Sequence, residues 1–125
     1  MQVKDIMKDP FIIDKDIDLI DAAKIMSSKG IHSMLFVERS KARGIITESD
    51  LLKNFGKHKR VSQIMSKNII TVFPEKTIEE ALLVMKENKV KQLPVVDKKK
   101  QLVGTVSMTD IAANVDKLEG DFFFN

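Results

Sequence analysis

Gly44-Ile45-Ile46-Thr47-Glu48-Ser49-Asp50 returns further along the chain as Gly104-Thr105-Val106-Ser107-Met108-Thr109-Asp110. Both stretches run from glycine through two β-compatible residues to a hydroxyl residue, and both place an aspartate three positions after that hydroxyl. The match extends outward. Leu19, Ala22, Ala23 and Met26 are answered by Ile78, Ala81, Leu82 and Met85, and Met7 by Met65. The sequence from Val3 to Lys53 is therefore written a second time, loosely, from Val61 to Ala113. A unit of this size sits near the lower limit for burying enough apolar surface to fold alone. The two copies are expected to pack on each other as one domain with pseudo-two-fold symmetry, and any site is expected twice.

Each copy opens with a short amphipathic lead-in, Val3-Lys4-Asp5-Ile6-Met7 and Val61-Ser62-Gln63-Ile64-Met65, followed by β-rich runs at Phe11 to Ile13 and Ile69 to Phe73. Asp18 with Asp21, and Thr77 with Glu80, fit the N-cap and N3 positions of a helix, the second pair as a full capping box. Behind them apolar residues recur at i, i+3, i+4 and i+7, so one stripe of each helix faces a sheet. The methionines of these stripes, Met26 and Met85 among them, read as core filler. Met34-Leu35-Phe36-Val37 and Leu93-Pro94-Val95-Val96 read as strands, each paired across a basic turn with Ala42 to Thr47 or Gln101 to Ser107. Closing helices are predicted from about Ser49 to Phe55 and from about Thr109 to Leu118. The fold class is α/β of the α+β kind, two repeats each ordered β-α-β-β-α. Residues 1–56 form the first repeat, 57–60 a linker, 61–118 the second repeat and 119–125 a C-terminal tail.

At 125 residues, 43% apolar and 31% charged, the chain has the make-up of one globular domain with a real core. The absence of cysteine removes disulfides, thiolate nucleophiles and cysteine metal sites together, which fits a reducing cytoplasm. The N-terminus lacks an apolar signal segment, and no stretch approaches the ~18 apolar residues needed to cross a bilayer, so a soluble cytoplasmic protein without a membrane partner is expected. A net charge of +3 from 21 basic and 18 acidic residues does not by itself imply nucleic acid. The clusters Lys57-His58-Lys59-Arg60 and Lys98-Lys99-Lys100 fall between periodic segments and read as solvated turns. With only His32 and His58, and none of the usual nucleophile, zinc or phosphate-loop motifs, no catalytic residues are assigned and the chain is not read as an enzyme. Asp14-x-Asp16-x-Asp18 resembles the opening of a calcium loop, but its sixth position is Leu19 instead of glycine and its twelfth Ile25 instead of glutamate. It reads as an acidic strand end and helix cap, and no metal is expected.

The repeated glycine-to-aspartate element lies where a strand hands over to a helix, a junction with unpaired N–H groups and the positive end of a helix dipole. An ionised carboxylate there, Asp50 or Asp110, can accept hydrogen bonds from two vicinal hydroxyls at once, and Thr47 and Ser107 can add a contact to sugar or phosphate. The same residues also spell a helix cap worth about 1 kcal/mol each. Spacing does not separate the two, and on pattern alone the cap is favoured.

The repeat, the lead-in Val-x-x-Ile-Met, the strand Leu93-Pro94-Val95-Val96-Asp97 and the twice-occurring Gly-h-h-Ser/Thr-x-x-Asp element together resemble a tandem pair of CBS domains, the modules named after cystathionine β-synthase. The resemblance spans nearly the whole chain. It implies adenosine-containing ligands, AMP, ADP or ATP, with S-adenosylmethionine as a further candidate, held in clefts between the repeats, and it requires no cofactor. By resemblance Asp50 and Asp110 take the ribose hydroxyls, while Thr47, Ser107, Ser49 and Thr109 line sugar and phosphate. Ile12, Ile13, Thr71 and Val72 border the base, and His32 and Lys91, just before the second strand of each repeat, meet the phosphates. The chain departs from the family pattern with Ser33 and Gln92 where a basic residue is common, and with Leu35 where the second copy has Pro94. These departures leave the preference among mono-, di- and triphosphates open.

The function implied is a regulatory module that senses adenine nucleotides, an energy sensor in effect, and passes occupancy to an effector protein or to its own homodimer interface. The different-class alternative is a nucleic-acid- or protein-interaction scaffold that uses the lysine turns or the tail. No effector domain is encoded in these residues, so a stand-alone CBS pair is expected. Phe122-Phe123-Phe124 near the C-terminus would be costly to leave wet; docking on a second subunit and covering the protein's own core both stand as readings.

Overall fold

Met34, Leu35, Phe36 and Val37 are all buried, which marks strand β2 (Ser33–Glu38) as covered on both faces. In the computed structural model, which describes residues 1–116, β2 lies between β1 (Ile12–Ile13), a parallel neighbour, and β3 (Lys41–Thr47), an antiparallel one. Arg39 and Ser40, with φ of 52° and 65°, make the tight turn between β2 and β3. Helix α1 (Leu19–Lys29) packs Leu19, Ala22 and Met26 inward; it starts where the Asp18 carboxylate accepts the Asp21 N–H at 2.8 Å and ends at Gly30 with φ 63°. Helix α2 (Glu48–Asn54) follows β3 directly, and the short α3 (Val61–Ile64) buries Val61 completely. These elements form one compact unit, Pro10–Ile69.

The second compact unit joins Met1–Asp9 to the chain from Ile70 onward. Helix α4 (Ile78–Asn88), strands β4 (Gln92–Val96) and β5 (Leu102–Ser107) and helix α5 (Met108–Ala113) repeat the order of the first. Their core holds Ile78, Ala81, Met85, Leu93, Val95, Val106 and Ile111 together with Val3 and Ile6. A 3-10 turn, Val3–Asp5, anchors the N-terminal segment: Val3 N–H donates to the Lys76 carbonyl at 2.8 Å and Lys4 N–H to that of Pro74 at 2.9 Å.

The boundaries of these units do not follow those of the sequence repeats. Lys8 pairs with Thr105 as an added edge on β5, and Ser66 pairs with Ile45 as an added edge on β3. Each lead-in is thus housed with the strands of the other copy. An apolar face on a short segment specifies burial but not which surface it meets, so the repeat pattern carries no trace of the exchange.

Two expectations are corrected. The run Ile69 to Phe73 is not a strand; it contributes one bridge, Val72 to Val95. In the first unit Leu35 N–H donates to the Phe11 carbonyl at 3.0 Å, but Pro94 stands at the position of Leu35 and has no N–H to donate. Only the two bonds flanking Val72 remain, from Val72 N–H to Pro94 at 3.1 Å and from Val96 N–H to Val72 at 3.0 Å. The capping box at Thr77 is also only half made. Thr77 Oγ1 accepts the Glu80 N–H at 3.1 Å, while the Glu80 carboxylate turns to Lys76 at 3.5 Å.

The acidic stretch before α1 is used structurally. The Asp16 carboxylate accepts the Ser62 N–H at 3.0 Å and its hydroxyl at 2.6 Å, and Arg60 donates to the Asp16 carbonyl at 2.9 Å. Among the described residues no helix is long and apolar enough to cross a membrane. The tail containing Phe122 to Phe124, and Leu118 at the expected end of the closing helix, lie outside the described residues.

Candidate functional site

The junctions from β3 to α2 and from β5 to α5 carry the repeated aspartates. Both are full capping boxes. Thr47 Oγ1 accepts the Asp50 N–H at 3.2 Å while Asp50 Oδ2 accepts the Thr47 N–H at 2.9 Å. Ser107 Oγ accepts the Asp110 N–H at 3.1 Å while Asp110 Oδ2 accepts the Ser107 N–H at 2.9 Å. The cap reading of these residues therefore holds. It uses only one oxygen of each carboxylate, which leaves Oδ1 in each case for other work.

Oδ1 is where the two copies differ. Asp110 is buried, its side chain 7% exposed, and its Oδ1 lies 3.1 Å from the ammonium of Lys8. The Ser107 hydroxyl donates a further bond to its Oδ2 at 2.9 Å. Asp50 is half-buried, and among the described residues its Oδ1 has no hydrogen-bond or ion-pair partner. A carboxylate as deeply placed as Asp110 needs such partners, because burial without them carries a large desolvation cost.

His32 and Lys91 arrive beside the same junctions through their backbones. The His32 carbonyl accepts the Glu48 N–H at 3.1 Å, and the Lys91 carbonyl accepts the Met108 N–H at 2.9 Å. The His32 side chain turns to Glu48, with Nδ1 2.8 Å from Oε1. Met108 replaces Glu48 in the second copy, so Lys91 meets no matching carboxylate there. Ser49 and Thr109 are exposed on the first turn of each helix. Thr47 pairs with Ser33 at the start of β2, and Ile12 and Ile13 pair with Leu35 and Phe36 on its far side. The apolar edge and the aspartate junction are thus separated by two strand spacings, about 10 Å. In the other unit Val72 is buried on β4 and Thr71 is exposed beside it.

Three residues at these junctions carry no signal in the single-copy motif. Asn54 and Asn114 each donate a side-chain N–H to the carbonyl of the aspartate four residues earlier, Asn54 to Asp50 at 2.7 Å and Asn114 to Asp110 at 2.8 Å. Their recurrence at matching repeat positions is the clue that was present. Lys8 has no such clue, since its repeat partner is Ser66. Neither of two surface grooves of about 310 Å³, one bordered by Phe73, Lys76 and Lys98 and the other by Met26, Leu51, Leu52 and Phe55, includes Asp50 or Asp110.

Comparison with known proteins decides the family. The CBS domain model matches twice, over residues 3–57 and 61–117. The chain belongs to the CBS-domain family. Among solved structures, the CBS domain pair of protein MJ0100, in complex with 5'-methylthioadenosine and S-adenosyl-L-methionine, superposes with a TM-score of 0.86 at 30% identity, covering 94% of this chain and 98% of that one. A hexameric CBS-CP12 protein from bloom-forming cyanobacteria matches at 29% identity and TM-score 0.82, over 95% of this CBS pair and 70% of that chain. Among curated relatives, a homoserine O-acetyltransferase of Methanosalsum zhilinae is 36% identical over 112 residues. This CBS pair covers 87% of its own length in that match but spans only 23% of the relative.

Proposed function

We propose that the chain is a regulatory module that binds adenosine-containing ligands, AMP, ADP or ATP, at the two aspartate junctions, without catalysis of its own. The observation that carries this reading is the likeness, over almost the full length of both chains, to a CBS domain pair in complex with two adenosine compounds. The geometry supports it further. Asp50 Oδ1 is left uncommitted by the cap, and each junction gathers a hydroxyl, a carboxylate and the backbone of a basic residue at one strand end. Asp50 and Asp110 take the ribose hydroxyls; Thr47, Ser49, Ser107 and Thr109 contact sugar or phosphate; His32 and Lys91 meet the phosphates. Ile12, Ile13, Thr71 and Val72 border the base.

Ligand occupancy acts on a partner only through its different affinity for the states it links. The receiving surface is a homodimer interface. Supporting this, α2 exposes Leu52 and Phe55 beside the groove floored by Met26 and Leu51, and α1 exposes Ile20. The reading is tested by thermal shift with AMP, ADP, ATP, 5'-methylthioadenosine, S-adenosylmethionine, NAD and nonspecific RNA. Adenosine ligands should raise Tm and RNA should not; a response to RNA alone, steeply salt-dependent, would replace the nucleotide sensor with a nucleic-acid scaffold.

A further inference from the structure

Lys8 and Ser66 occupy equivalent positions, each one residue after the lead-in methionine. Their backbones do the same thing, Lys8 exchanging hydrogen bonds with Thr105 at 2.8 and 2.9 Å and Ser66 with Ile45 at 2.9 and 3.0 Å. The main chain therefore presents the two side chains alike to the two aspartate junctions. Only one of them is charged. The Lys8 ammonium, on a side chain 69% exposed, sits 3.1 Å from Asp110 Oδ1.

A ribose offers a carboxylate two neutral donors. At Asp50 they meet an oxygen with no partner among the described residues. At Asp110 they must share Oδ1 with an ammonium or displace it, and displacement exchanges an ion pair with a buried carboxylate for a bond from an uncharged donor. A ligand that carries its own anion on the same sugar changes this balance. The flexible Lys8 stem lets the ammonium stay between carboxylate and phosphate and donate to both. An uncharged 5'-substituent gives it nothing, and a cationic one repels it.

We propose that Lys8 is a specificity-determining residue that makes the two sites unequal: the Asp110 site selects phosphorylated adenosine ligands, while the Asp50 site, with Ser66 in the equivalent place, accepts uncharged ones as well. This rests on the ribose-binding role of the two aspartates proposed above.

Isothermal titration with AMP and with 5'-methylthioadenosine tests it in an Asp50→Ala background, where the Asp110 site is read alone, with and without Lys8→Ser. Lys8→Ser removes one partner of the buried Asp110 carboxylate, so it should lower the Tm measured without ligand by a few degrees, while the backbone bridge to Thr105 and the Ser107 bonds to Oδ2 keep the variant folded, as circular dichroism should verify. With Lys8 present, AMP is expected to bind about tenfold or more tighter than 5'-methylthioadenosine, and Lys8→Ser should remove most of that preference. Ser66→Lys in an Asp110→Ala background should create the same preference at Asp50. An AMP preference unaltered by either substitution overturns the role of Lys8 alone. Failure of both compounds to bind wild type overturns the ribose reading, and the Lys8 role with it.

Discussion

The thioether of Met7 occupies the space a side chain on Gly104 would need: an ideal Cβ there lies 2.8 Å from the Met7 sulfur and 3.2 Å from the Lys8 carbonyl oxygen. Met65 stands in the same relation to Gly44. Neither glycine has a positive φ, so both are required for space and not for backbone conformation. The glycine that opens the repeated element is therefore a seat for the methionine of the other copy's lead-in. Gly104→Ala and Gly44→Ala should each destabilise the protein by about 1–3 kcal/mol through overpacking, measured by urea denaturation. Adding Met7→Ala to Gly104→Ala should lose less than the sum of the two single changes. Strict additivity would show that the pair does not interact.

Helix α4 ends at Lys89 in the left-handed region, φ 55°, where the first copy has Gly30 at φ 63°. A residue with a Cβ is strained there and glycine is not. Lys89→Gly should raise stability by about 0.5–1 kcal/mol despite the added freedom of the unfolded chain. A lower urea midpoint would contradict this.

The Asp16 carboxylate ties down the first turn of α3 through Ser62. Asp16→Ala should cost about 1 kcal/mol and speed hydrogen exchange at the Ser62 amide. Calcium, which the acidic spacing superficially suits, should not shift Tm of the wild type. A calcium-dependent rise lost in the variant would restore a metal-binding role.

Leu52, 76% exposed, and Phe55 border the apolar groove between α1 and α2. If this face joins two copies, Leu52→Glu should lower the mass seen by light scattering while the far-UV circular dichroism stays that of the folded chain. An unchanged dimer would remove the face from the interface.

Much of this was legible in the sequence because it is local. The caps at Asp18, Thr47 and Ser107 follow from short-range spacing, and the buried stripe of α1 from helical period. The exchange of lead-ins was not legible, since Val3 and Val61 are equally apolar and say nothing of which sheet receives them. The lost strand near Val72 had its cause in view at Pro94, but only the register shows that the missing N–H is the one that would have bonded to the neighbouring segment. At the site, the motif marked both aspartates and could not show that one carboxylate is already paired. That depends on Lys8, which lies far from Asp110 in sequence.

Removal of the cap and loss of the ligand should separate. Ser107→Ala should lower ligand-free stability by about 1 kcal/mol as a helix cap. Saturating AMP, at about 100-fold above Kd, should add about 2.7 kcal/mol to wild-type stability, which a merely structural aspartate would not influence.

The most direct test is equilibrium binding of AMP to wild type and to the Asp50→Ala/Asp110→Ala double variant, with folding of both verified by circular dichroism. Wild type is expected to bind and the folded double variant to lose binding. A folded double variant with wild-type affinity would show that these aspartates only cap their helices, and would contradict a ribose site at either junction.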